Sequence, residues 1–157
     1  MADIQAVPHI NFVITNMQTE HLDDLAEIEK LTFSRPWSYD ALAEELQNPL
    51  AVFFVAKLPE TGRAVGYLGM HHILNEGSIS NIVVHPDYQR QGIASALMHK
   101  AIKYVKTNRL TRLTLEVRVS NTPAIALYKR FGFECDGIRP GFYDSPKEDA
   151  AIYSLYF

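Results

Sequence analysis

Ile82-Val-Val-His-Pro-Asp-Tyr-Gln-Arg-Gln-Gly-Ile-Ala94 reads as an apolar strand, a short loop, and a glycine that opens a long amphipathic helix. A helix start leaves several backbone N–H groups unpaired and pointing one way, at the positive end of the helix dipole. That makes a ready site for a pyrophosphate. Arg90 adds charge, Gly92 lets the backbone approach a ligand closely, and Ala94 keeps the first turn uncluttered. Strand–glycine–helix junctions are common, so the weight of this one comes from a second stretch. That stretch is Leu115-Glu-Val-Arg-Val-Ser-Asn-Thr-Pro-Ala-Ile-Ala-Leu-Tyr-Lys-Arg-Phe-Gly-Phe133.

Working outward, the pattern predicts a tail over residues 1–8 and a single domain over 9–157. A first strand is expected at 10–15 and a helix at 21–33, with Leu22, Leu25, Ile28 and Glu29 at helical spacing. Pro36 breaks that helix, because proline disfavours helix at the residue before it. Ser38 then caps a short helix over 39–47. Apolar runs at 51–57 and 64–73 read as strands, and the turn Asn75-Glu-Gly77 leads into another at 78–84. The long helix covers 92–108. A strand at 112–119, a helix at 123–131 closed by Gly132, and strands at 133–139 and 150–157 follow. The order is β-α-α-β-β-β-α-β-α-β-β.

Composition narrows the function. At 157 residues and 47% hydrophobic, the chain has material for one core. A net charge of −3 gives no basic footprint for bulk nucleic-acid binding. The single cysteine, Cys135, excludes an internal disulfide framework, and no Cys/His cluster suggests a metal. There is no apolar run of membrane-spanning length and no charged-then-apolar leader, so a cytoplasmic protein without membrane partners is expected. His71 and His72 are strand neighbours facing opposite sides, not a chelating pair.

Gln89 to Ala94 resembles the anion loop Gln/Arg-x-x-Gly-x-Gly/Ala of the GNAT superfamily of N-acetyltransferases, with alanine at the last position. Leu115-Glu-Val-Arg-Val-Ser-Asn121 is similar to the signature of the RimI-type ribosomal-protein alanine acetyltransferases within it. Phe33-Ser-Arg-Pro-Trp-Ser38, Ile138-Arg-Pro-Gly-Phe-Tyr143 and Glu148-Asp-Ala150 extend the resemblance over nearly the whole chain. The resemblance implies an α/β (α+β) fold with a mixed central sheet of about seven strands and four helices. It implies acetyl-CoA as co-substrate, held by Arg90, Gln91, Gly92, Ile93, Ala94 and Ser95, by the backbone of Ile82, Val83 and Val84, and by Asn121. No metal is implied. By the same resemblance Glu116 is the general base, Tyr128 the general acid, and Trp37 and Tyr143 border the acceptor groove. The acceptor implied is the N-terminal α-amine of an alanine-initiated ribosomal protein, acetylated in a ternary complex by a monomeric enzyme. Pro140-Gly141, Asp144 and Glu148 depart from the pattern and make the acceptor less secure than the reaction.

The residues themselves leave alternatives. Glu116 lies on the less apolar face of its strand, where a solvated carboxylate paired with Arg118 is the bland reading. An α-amine near ~7.7–8.0 is about a tenth neutral at pH 7, whereas direct transfer to a carboxyl near ~4.3 is uphill by roughly 5 kcal/mol. A base there needs a raised pKa, an intervening water, or a proton taken after attack. Tyr128 shares a helical stripe with Ala124, Leu127 and Phe131, so a core tyrosine is its bland reading. Asn121 either meets the CoA or starts the helix before Pro123. Two rival functions remain at this point. One is acetylation of a lysine or a small-molecule amine; a lysine amine is only about 0.04% neutral at pH 7. The other is an acyl-CoA-binding module without turnover.

Overall fold

The computed structural model describes residues 10–157, so the expected tail at 1–8 lies outside the described residues. Seven strands and four helices follow one another as β1 (Val13–Asn16), α1 (Leu22–Thr32), α2 (Tyr39–Gln47), β2 (Ala51–Lys57), β3 (Ala64–Ile73), β4 (Glu76–Val84), α3 (Ile93–Thr107), β5 (Arg112–Arg118), α4 (Thr122–Arg130), β6 (Glu134–Asp144) and β7 (Lys147–Tyr156). Short 3-10 turns at Thr19–His21 and Pro86–Tyr88 precede α1 and follow β4. All seven strands share one sheet in the order β1-β2-β3-β4-β5-β7-β6. Every pairing is antiparallel except β4 with β5. That parallel pair needs a crossover, which α3 supplies.

The sheet is covered on both faces, so β2 and β3 are apolar almost throughout and alternate side chains feed two cores. Phe54, Leu68 and Met70 pack with Leu97, Met98 and Ala101 of α3. Phe53, Val55 and Tyr67 point the other way and pack with Leu22, Leu25 and Ile28 of α1 and Leu42 of α2. Ser38 caps α2 as expected, its hydroxyl accepting from the Ala41 N–H at 3.1 Å.

The irregularities of the sheet make the site. β4 and β5 pair only from Glu76–Arg112 to Ile79–Leu115, and beyond that register the two strands part. At the same point β4 is bulged: Gly69 faces Asn81 while Met70 faces Ile79, leaving Ser80 as the extra residue. The Ser80 hydroxyl donates to the Gly69 carbonyl at 3.2 Å. A bulge bends its strand and increases its twist, which turns the end of β4 away from β5. Gly69 is required there, since a Cβ would sit 2.5 Å from the Phe53 ring.

The remaining differences from expectation are at element ends. β1 runs from Val13 to Asn16 instead of over 10–15. The turn into β4 is Leu74 and Asn75, with Leu74 at φ 55°, so Glu76 and Gly77 join the strand. β6 and β7 form a longer hairpin than the expected 133–139 and 150–157. β6 is an edge strand and absorbs Pro140-Gly141 as a ladder irregularity between Arg139 and Tyr143.

Candidate active site

Where β4 and β5 part, a cavity of about 510 Å³ opens. Ile79 to Ile82 form one wall and Leu115 to Arg118 the other. Asn121 and Tyr128 close the α4 side. The opposite side is covered by the α1–α2 loop, from Thr32 through Trp37, and by Phe142 to Ser145 at the tip of the β6–β7 hairpin. The loop and hairpin are tied together: the Ser34 hydroxyl donates to the Ser145 carbonyl at 3.0 Å, and Arg35 pairs with Asp144 at 3.6 Å.

Glu116 alternates with the buried Leu115 and Val117 on β5 and turns its carboxylate into this cavity. Its ion partner is Arg139 of β6 at 3.5 Å, not Arg118 as the bland sequence reading has it. Arg118 is engaged elsewhere. It donates to Glu148 at 3.2 Å and to the carbonyls of Pro146 and Ser145, and its guanidinium lies 4.4 Å from the Tyr143 ring centre. Glu148 also accepts the Ser120 N–H at 2.7 Å, and hydrogen bonds from Ser120, with the Arg118 charge, hold its carboxyl below the usual range. Glu148 therefore braces the hairpin and is not a free acid of the groove.

Tyr128 lines the same cavity from α4. Its ring is 5% exposed and packs near Phe133, yet its hydroxyl has no hydrogen-bond partner among the described residues and borders the cavity. Burial, with a smaller contribution from the Tyr143 charge, pushes this phenol up to about 12. Tyr143 is half-buried on the same cavity, and burial followed by the Glu116 charge raises its phenol too. The Asn121 side chain caps α4, accepting from the Ala124 N–H at 3.3 Å, and the residue also borders the cavity.

The cavity thus gathers Trp37, Ile82, Glu116, Asn121, Tyr128 and Tyr143. Val83, Val84 and Arg90 to Ser95 are not among its walls; they continue from it along β4 to the start of α3. Past Ile79 one edge of β4 has no strand partner, leaving about 16 Å of backbone for an extended ligand arm. Gly92 is the N-cap of α3 at φ 83°, with no atom within 4 Å of where a Cβ would stand. The Ile93 side chain is buried, so only its backbone is available, and the Gln91 Oε1 is buried without a partner. An open helix start, a bare strand edge and an orphaned acceptor fit the pyrophosphate and amide arm of a CoA thioester. No group of His, Cys, Asp or Glu among the described residues could hold a metal ion.

Sequence reasoning passed over Glu29, Asn81 and Arg139. Glu29 is fully buried at the cavity, and its Oε1 and Oε2 together accept from the Trp37 N–H, the Tyr67 hydroxyl and the Asn81 amide. The available signal was a carboxylate at a core-facing position of the α1 stripe, a place where an unpartnered charge is costly.

Comparisons with known proteins agree with this geometry. The pattern of the acetyltransferase (GNAT) family matches residues 22–133. A Bacillus subtilis protein, provisionally named a ribosomal protein bS18-alanine N-acetyltransferase, is 39% identical over 140 residues, covering 88% of this chain and 91% of its own. The ribosomal protein bS18-alanine N-acetyltransferase of Escherichia coli K12 is 34% identical over 90% of this chain and 95% of its own. The crystal structure of the ribosomal-protein-S18-alanine N-acetyltransferase from Escherichia coli superposes with a TM-score of 0.84, covering 93% and 94% of the two chains. No helix among the described residues is long and apolar enough to cross a membrane. A seven-stranded mixed sheet that splays between β4 and β5, a helix start open to an anion, and a family match over most of the chain lead to one conclusion: this chain belongs to the GNAT family and is an N-acetyltransferase that uses acetyl-CoA.

Proposed function

We propose that this enzyme acetylates the N-terminal α-amine of a protein, with an alanine-initiated ribosomal protein as the acceptor, by direct attack in a ternary complex. The observation that carries the reading is that Glu116 of β5 and Tyr128 of α4 line one cavity. Arg90 to Ser95 and the β4 edge hold the CoA, and the acceptor enters beneath Trp37 and Tyr143. The amine nitrogen attacks the thioester carbonyl, Glu116 takes a proton from that nitrogen, the C–S bond breaks, and Tyr128 gives its proton to the leaving sulfur. A phenol near 12 donating to a thiolate near ~8.5 is uphill by roughly 5 kcal/mol. That fits within a barrier of roughly 16 kcal/mol for ordinary turnover, and the burial that lifts the phenol lifts the thiol with it.

The choice of an α-amine is supported by similarity to the Escherichia coli and Bacillus subtilis relatives. Mass spectrometry of synthetic peptides incubated with acetyl-CoA tests it, comparing free and blocked N-termini. Acetylation of the free alanine terminus is expected. Modification confined to lysine would move the enzyme to another acceptor, and CoA binding without thiol release on any amine would make it a binding module.

A further inference from the structure

Glu29 accepts from two directions at once. Its Oε1 takes the Trp37 N–H at 2.8 Å, and its Oε2 takes the Tyr67 hydroxyl at 2.7 Å and the Asn81 Nδ2 at 3.4 Å. The Tyr67 ring stacks on Phe53 with centres 6.0 Å apart, and Phe53 meets the Trp37 ring at 6.4 Å. The contacts close a circuit: the carboxylate to the Trp37 backbone, the indole to Phe53, Phe53 to Tyr67, and Tyr67 back to the carboxylate. Burial and then the Glu29 charge raise the Tyr67 phenol strongly, so it stays a donor. The other ties on this loop, Ser34 to Ser145 and Arg35 to Asp144, are solvent-exposed and worth little. With three donors on its two oxygens, Glu29 is committed to holding; Glu116, with one exposed cation beside it, is the carboxylate free for proton transfer.

We propose that Glu29 is a positioning residue that fixes the Trp37 loop, and so sets the shape of the acceptor end of the cavity without touching the acetyl donor. The proposal rests on the reading of that end as the acceptor groove. Glu29→Gln keeps the volume but replaces one carboxylate oxygen by N–H₂, which meets either the Trp37 N–H or the Tyr67 hydroxyl and Asn81 amide, and it removes the charge that strengthens the bonds that remain. The acceptor KM should rise by roughly tenfold to a hundredfold, the range for a charged hydrogen bond. The acetyl-CoA Kd and the kcat at saturating acceptor should stay within about threefold, since no group at either of those sites is altered. Trp37 is the only tryptophan in the chain, so its fluorescence reports the loop directly, and its emission should shift to the red as the indole gains water. In a Trp37→Ala background, Glu29→Gln should add less to KM than it does alone, because part of what it loosens is the Trp37 side chain. Tyr67→Phe, which removes a single donor, should move KM and emission in the same direction by less, and serves if Glu29→Gln folds poorly. Unchanged emission, a fall in kcat at constant KM, or additive effects with Trp37→Ala would each overturn the proposal. If the wild-type enzyme modifies no N-terminal peptide, the acceptor reading fails, and the emission measurement still decides whether Glu29 holds the loop.

Discussion

Tyr128 and Glu116 differ in surroundings in the way the proposed acid and base roles require. Tyr128 is buried and keeps its proton far above neutral pH; Glu116 is accessible, with Arg139 as its one ion partner among the described residues. Glu116→Gln keeps the shape and removes the acceptor, so turnover at pH 7 should fall by roughly 10²–10⁴. Activity should partly return toward pH 9, where an α-amine near ~7.7–8.0 has already lost its proton. A pH–rate profile parallel to the wild type would return Glu116 to the role of a strand carboxylate. Tyr128→Phe should cost a similar factor in turnover. Because the hydroxyl has no partner among the described residues, it should cost little stability, less than the ~1 kcal/mol of an ordinary hydrogen bond. Turnover and Tm measured on one preparation decide between roles. A lowered Tm with normal turnover makes the tyrosine structural.

At the scale of elements, α3 and the parting of β4 from β5 do separate jobs. The α3 start offers N–H groups of Ile93, Ala94 and Ser95 that no helical carbonyl uses, and Gly92 leaves the approach to them clear. Gly92→Val puts a β-branched side chain both in that approach and at a φ of 83°, where strain is on the order of 1–2 kcal/mol. Acetyl-CoA binding by calorimetry should weaken more than the roughly tenfold expected for a lost arginine charge in Arg90→Ala, with the thermal transition retained. Equal affinity for Gly92→Val and wild type would remove the loop from donor binding. The bulge at Ser80 bends β4 away from β5, so that the bare edge of β4 and the cavity share one strand.

For the whole molecule, the two deeply placed tyrosines set the alkaline limit. Tyr128 and Tyr67 both have folded-state pKa values above the ordinary 10. The folded protein therefore holds protons that the unfolded chain releases above pH 10. This stability is fully present below pH 10 and is lost as pH rises, for Tyr128 through about 12. The loss from Tyr128 alone is on the order of 2–3 kcal/mol, and denaturant midpoints between pH 8 and 11 should show a fall that flattens in Tyr128→Phe and Tyr67→Phe. Local pattern in the sequence determined the order of elements, because a 3.6-residue or two-residue apolar period, a proline at 36 and a capping serine at 38 act over a few neighbours. It also singled out the proposed anion loop, Glu116 and Tyr128, since those lie in contiguous motifs. Tertiary structure alone decided the rest. It chose Arg139 over Arg118 as the partner of Glu116, carried β6 through Pro140, and joined Glu29 to Trp37, Tyr67 and Asn81. Each of those depends on strands and loops distant in sequence meeting across the sheet, and no local period records which partner a buried charge will find.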